Sequence, residues 1–278
     1  MTTTEPNLRP AELSLLEEIA CAVAREAGEL IVTERPDQLG VAATKTTRTD
    51  IVTVMDRRSE ELLRSRLASA RPGDGLLGEE GASRPSDTGI TWVVDPIDGT
   101  VNYLYELPAY AVSVAACVGD VHTPGQWRTV AGAVMNPVTD ELFHARRGAG
   151  AFLEHRGRTT LLRVTDQQDL AFSLVATGFG YDVDKRRRQA AVVVDLIPQV
   201  RDIRRAGSAA IDLCSVAAGR LDGYYESGLN PWDLAAGWLV VTEAGGVVQG
   251  VGGGAPSAEL VVAGGPAQVA ALAPHVDR

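Results

Sequence analysis

Three short segments place carboxylates beside glycine, proline or an apolar wall. They are Gly78-Glu79-Glu80-Gly81, Trp92-Val-Val-Asp95-Pro96-Ile97-Asp98-Gly99-Thr100 and Pro231-Trp232-Asp233-Leu234-Ala235-Ala236. In the second, a hydrophobic strand delivers Asp95 to its C-terminal end, where α/β layers usually hold their sites. Pro96 lacks an N–H and is expected to stop the ladder and stiffen the turn. Asp98 follows three residues later, so a tight turn can aim both carboxylates at one point. Gly99 permits close backbone approach, and the amides of Gly99 and Thr100 are then free to meet a phosphate. Two aspartates held together repel and desolvate each other, at a cost that a cation would remove. Hard divalent cations such as Mg²⁺ take carboxylate and carbonyl oxygen, and the Ile97 carbonyl offers one more ligand.

Taken singly, each segment also has an ordinary role. The Glu79-Glu80 pair has no basic residue immediately beside it and reads alone as a solvated pair. Asp233 falls at a helix start, where N-capping is its common use. Together Glu79, Asp95, Asp98 and Asp233 supply enough acid for a site with two or more metals that activate water and clamp a phosphoryl group.

The elements that must carry these residues are legible from periodicity. Leu15, Ile19, Val23, Ala27 and Leu30/Ile31 mark an amphipathic helix from Ala11 to near Pro36. A second runs from Asp56, its expected cap, to Ala70. Thr91–Asp95, Ala111–Val118 and Thr129–Met135 read as strands, and 141–152 as a hairpin-like return. Further on, strands (161–164, 170–176, 202–205, 221–226, 259–263) alternate with helices (185–194, 208–218, 232–244, 266–272). This mixture indicates α/β layers. It divides into a loose tail at 1–10, an α+β half at 11–155 and an α/β half at 156–278. The basic run at 186–188 reads as a solvated helix face.

The four ordered motifs resemble those of the inositol monophosphatase family, within the superfamily that includes fructose-1,6-bisphosphatase. The first signature, W-x-[IV]-D-P-[IL]-D-G-T-x-N-[FY], reads here from Trp92 through Asn102-Tyr103. The second, W-D-x-A with a following E-A-G-[GA], reads from Trp232-Asp233 to Glu243-Ala-Gly-Gly246. Gly78–Glu80 supplies the GEE element, and Lys45, Asp50, Thr53 and Asp56 supply an upstream K-x-x-x-x-D-x-V-T-x-x-D element. The similarity extends from about Ala11 to Val262 and is greatest to the bacterial SuhB-like branch.

The resemblance implies a layered αβαβα sandwich and two or three Mg²⁺ held by Glu79, Asp95, Asp98, Asp233 and the Ile97 carbonyl. It implies that Glu79 and Thr100 orient and deprotonate the attacking water, with Lys45, Asp50, Thr53, Asp56 and Glu80 in the shell outside. Substrate contacts fall on Asp98, Gly99, Thr100, Gly207, Ser208, Ala209, Glu226 and Asp233, with Glu226 accepting ring hydroxyls. The implied reaction is hydrolysis of myo-inositol 1-phosphate and related monophosphates. The same chemistry on histidinol phosphate, fructose 1,6-bisphosphate or a nucleotide 3′-phosphate is an alternative, as is an RNA-polymerase-associated binding role. A homodimer and lithium inhibition are implied as well. Arg204 and Arg205 are left without a phosphate role.

Composition excludes other classes. The 278 residues carry 26 basic and 36 acidic side chains, a net charge of −10, with 45% hydrophobic residues. A disordered chain would be poorer in aliphatics, and the acidic balance argues against a dedicated nucleic-acid binder. Cys21, Cys117 and Cys214 lie in apolar contexts and read as buried thiols. No apolar run reaches the roughly 20 residues of a membrane helix, and a cytoplasmic protein is expected.

Overall fold

The computed structural model describes residues 8–45 and 51–277. Most of the expected tail at 1–10 and all of Asp50 lie outside the described residues. The elements, in chain order, begin with α1 (Pro10–Thr33), β1 (Ala43–Thr44), β2 (Ile51–Val52), α2 (Val54–Ala70), β3 (Gly75–Gly78), β4 (Ser83–Arg84), β5 (Ile90–Asp98) and α3 (Thr100–Leu104). Then come β6 (Ala111–Gly119), β7 (Trp127–Asn136), β8 (Glu141–Arg146), β9 (Ala151–His155) and β10 (Arg158–Leu161). The chain continues through β11 (Leu174–Thr177), α4 (Val183–Leu196), β12 (Asp202–Arg204), α5 (Ala209–Ala217) and β13 (Gly223–Glu226). It ends with α6 (Pro231–Glu243), β14 (Val247–Gln249), β15 (Val261–Gly264) and α7 (Pro266–Val276).

An eight-stranded sheet has the order β10-β9-β8-β7-β6-β5-β3-β4, and a five-stranded sheet the order β12-β11-β13-β15-β14. The first is antiparallel except where β3 pairs with β5. Its central strands are buried on both faces, which is why they read as continuous apolar runs. Trp92, Val94, Val112 and Val114 point into one core with α1 and α2. Val93, Ala111, Ala115 and Cys117 point into another with α5, α6 and the second sheet. The far side of the second sheet packs on α4 and α7. The result is the αβαβα layering.

Several boundaries differ from the sequence reading. The second helix is capped by Thr53, not Asp56. The Thr53 hydroxyl accepts from Met55 N, while Asp56, at the third helical position, accepts from Thr53 N at 2.7 Å. Pro96 does not end its strand. Asp95 faces Ser113 and Asp98 faces Ala111, so three steps on β5 meet two on β6 and the extra residue is a bulge. A strand expected at 161–164 lies instead at Arg158–Leu161, hydrogen-bonded to β9. Gly75–Gly78 and Val247–Gln249 are strands that turn-rich glycine surroundings concealed. Among the described residues no helix is long and apolar enough to cross a membrane. The three cysteines are free, and burial pushes the thiols of Cys21 and Cys117 up to about 12.

Candidate metal and phosphate site

The bulge in β5 is the first positioning device. It turns Asp95 and Asp98 toward one cleft, and the Asp95 carboxylate accepts the Ile97 amide at 3.0 Å, closing the turn. Gly99 then adopts φ 97° and caps α3. A Cβ at Gly99 would lie 2.9 Å from the Ala109 carbonyl, so both its backbone conformation and its close packing demand glycine. The Thr100 hydroxyl, at the start of α3, donates toward Asp56 Oδ1 at 3.0 Å, with the Ile97 carbonyl at 3.1 Å. Asp56 therefore ties the α2 cap to Thr100.

The second device is the turn after β3. Glu60, from α2, accepts the amides of Glu80 at 2.8 Å and Ala82 at 3.0 Å, fixing the Gly78–Gly81 turn. Lys45 spans Glu79 at 2.7 Å and Glu80 at 2.5 Å. Burial pulls its ammonium down, but the two carboxylates outweigh that and hold it above the usual lysine range. The pair that looked solvated in sequence is thus tied down, by a lysine 34 positions away.

Two helix starts complete the site. Asp233, at the third position of α6, accepts from Asn230 N at 2.6 Å in a capping box. Ser208 caps α5, accepting from Ile211 N at 3.2 Å and donating to Asp98 Oδ2 at 2.6 Å, while Ala210 N donates to the same oxygen at 2.7 Å. Ser208 is buried and is not among the residues lining the cleft; its hydroxyl is engaged with Asp98, which it helps position. Gly207 and Ala209 do line the cleft.

Asp95, Asp98 and Asp233 present carboxylate oxygens within 4.8 Å of one another. The Glu79 carboxyl lies against that of Asp95. Burial, then the neighbouring Glu79, Asp98 and Asp233 charges, push Asp95 well above the usual carboxylate range. Burial and the Glu79 and Asp98 charges do the same to Asp233. Burial raises Asp98 to about 6 against the pull of Ser208 and the α5 amides. Such a set is unfavourable by itself and fits a hard cation that takes several oxygens.

The cleft these residues line has a volume of about 530 Å³. Glu226, at the end of β13, stands across it, accepting from the Tyr224 hydroxyl at 2.7 Å. Burial lifts Glu226 to about 7, opposed by that hydrogen bond. A Cβ on Gly178 would fall 1.9 Å from the Glu226 carboxylate, so only glycine leaves it room.

The structure adds residues that sequence reasoning missed. Glu60 carried no motif signal. Arg205 lines the cleft, whereas Arg204 pairs with Asp202 at 2.5 Å. Lys185 also reaches the cleft. The run beside it is exposed as expected: Arg187 pairs with Asp184 at 2.6 Å, Arg186 stacks over Tyr181, and Arg188 borders a second cavity with Lys185. The i, i+3, i+4, i+7 spacing of 185, 188, 189 and 192 was the available signal.

Against known proteins, the inositol monophosphatase family model matches residues 12–277. Inositol-1-monophosphatase SuhB of Mycobacterium tuberculosis (strain ATCC 25618 / H37Rv) is 48% identical over 255 residues, covering 87% of this chain and 85% of that protein. Nus factor SuhB of Pasteurella multocida is 42% identical over 240 residues, covering 85% of each. The solved structure of Mycobacterium tuberculosis SuhB superposes with a TM-score of 0.79 at 43% identity, covering 95% of this chain and 98% of that one.

Proposed function

Because this chain belongs to the inositol monophosphatase family and is a phosphatase of that type, we propose that it hydrolyses myo-inositol 1-phosphate and related inositol monophosphates in a Mg²⁺-dependent reaction. The observation that carries this reading is the convergence of Asp95, Asp98 and Asp233 on one point, with Glu79 beside them and Glu226 across the cleft. The residues that would hold the ions are Glu79, Asp95, Asp98, Asp233 and the Ile97 carbonyl. Mg²⁺ bound there would supply positive charge for the phosphate oxygens and lower the pKa of water.

The chain's own groups divide the remaining work. The Thr100 hydroxyl donates its hydrogen bond to Asp56, which leaves an oxygen lone pair free to accept from an attacking water. Glu79 is the base that receives the proton, and Lys45 and Glu60 hold its turn in place. Asp50, Glu80 and Thr53 complete the outer shell of this assignment. The Glu226 carboxylate can accept two vicinal hydroxyls, which suits a cyclic polyol. The amides of Gly207 and Ala209 flank the alcohol, with Ser208 fixing Asp98 between them. In this reading the site lies between an N-terminal half that carries most of the acid and a C-terminal half that recognises the alcohol.

Phosphate release from inositol 1-phosphate, measured with and without Mg²⁺, tests the proposal. No Mg²⁺-dependent turnover by the wild type would end it. A panel including histidinol phosphate, fructose 1,6-bisphosphate and a nucleotide 3′-phosphate ranks the alcohols by kcat/KM. The relatives that carry the name Nus factor SuhB support a second reading, association with RNA polymerase. Capture of RNA polymerase by a catalytically dead variant in the native host would favour it. A homodimer is part of the proposal, and sedimentation equilibrium measures it.

A further inference from the structure

We infer that the catalytic cleft continues into a second cavity that accepts a second, hydroxylated ring, so that the substrate class extends to glycosylated polyol phosphates. This rests on the phosphatase reading above. The second cavity has a volume of about 510 Å³, within the range of small-ligand sites. It shares Gly178, Lys185, Glu226 and Ser227 with the catalytic cleft, so the two spaces meet where the polyol would lie. The absence of a side chain at Gly178 leaves Glu226 in place at that junction.

The lining suits a sugar ring better than a second phosphate. Lys185 and Arg188 offer donors from one face of α4. Glu226, Glu259 and Asp277 offer acceptors, and Asp277 is already engaged by Gly252 N at 2.6 Å. Acids outnumber bases, so the cavity has no net attraction for a further anion. Val192 and Leu260 supply the apolar wall that a ring face covers. Tyr225, 5% exposed, closes one side of the cavity, with its hydroxyl buried beside Thr177.

The test compares kcat/KM for inositol 1-phosphate, an inositol monophosphate carrying one hexosyl ring, and an inositol bisphosphate, all with Mg²⁺. Ala258 and Glu259 are exposed positions on the cavity wall. Ala258→Phe and, as a second blocker, Glu259→Phe are expected to lower kcat/KM for the glycosylated substrate by about tenfold or more. Ala258→Phe should leave inositol 1-phosphate unaffected. Calorimetry should show the dephosphorylated glycosyl-inositol binding to the wild type at least tenfold tighter than to Ala258→Phe. Equal turnover of the glycosylated substrate by wild type and both blockers would overturn the inference, as would a preference for the bisphosphate. Failure of the wild type on every substrate would remove the phosphatase reading itself, an outcome distinct from intact inositol 1-phosphatase activity with no use for the second ring.

Discussion

Glu17 and Asp95 are both carboxylates sealed inside the molecule, and they are treated in opposite ways. Glu17, 5% exposed on α1, receives His144 Nδ1 at 2.7 Å and the Arg146 guanidinium. Burial alone would raise its pKa, but these two partners hold it below the usual value. Asp95, 1% exposed at the bulge, has as nearest charges Glu79, Asp98 and Asp233, and it is pushed up. One acid is neutralised within the fold, while the other is left for something the fold does not contain. Compensated burial marks a structural group, and uncompensated, convergent burial marks a site maintained at a cost in stability.

Substitutions should separate the two. Asp95→Asn is expected to lower kcat by more than about 100-fold, since even groups behind metal ligands are worth 10–100-fold. Its metal-free melting temperature should equal or exceed the wild type's, because a repulsion is removed. A parallel loss of folding would contradict this account. Glu17→Ala is expected to do the reverse, destabilising by about 3 kcal/mol through the stranded Arg146 and His144, with kcat nearly unchanged. Denaturant unfolding and a turnover assay together measure it.

The pH dependence has opposite signs in the two regions. Glu17 has a depressed folded pKa, so its stabilisation is present above the unfolded value near 4.5 and disappears as pH falls through the lower folded value. Asp98 and Asp56 are raised to about 6, so their contribution is present below the unfolded value near 3.8 and lost as pH rises through about 6. Melting scans of the metal-free chain should show both limbs, with stability falling between pH 4 and pH 7 from the site. Added Mg²⁺ should raise the melting temperature more at pH 8 than at pH 5. A pH-independent effect of Mg²⁺ would argue that these carboxylates do not hold it.

The smallest effect expected is at Ser208. Ser208→Ala removes both the α5 cap and one hydrogen bond to Asp98, costing about 1 kcal/mol of stability. Because Asp98 is then less firmly aimed, kcat should also drop, by about tenfold or less. Unchanged kinetics would show that the Ala210 amide holds Asp98 by itself.

The sequence by itself determined the layers and the acid set. Strands buried on both faces are written as unbroken apolar runs, and α1 carries its buried stripe every three or four residues, so local periodicity suffices. Asp95 and Asp98 were legible because proline, glycine and a preceding apolar strand leave a short turn few ways to close. Only the tertiary structure decided which charges meet. Lys45 joins Glu79 across 34 positions and Glu80 beside it, Glu60 reaches the same turn from α2, and Ser208 reaches Asp98 across 110. Such pairings depend on how layers stack, and no period in the chain encodes them. The same holds for Lys185 and Arg188, whose place at the border of a cavity follows from how α4 packs. Side-chain type fixes what a residue can do, but a Coulomb or hydrogen-bond energy depends on distance and burial, and those exist only once the sheets and helices have packed.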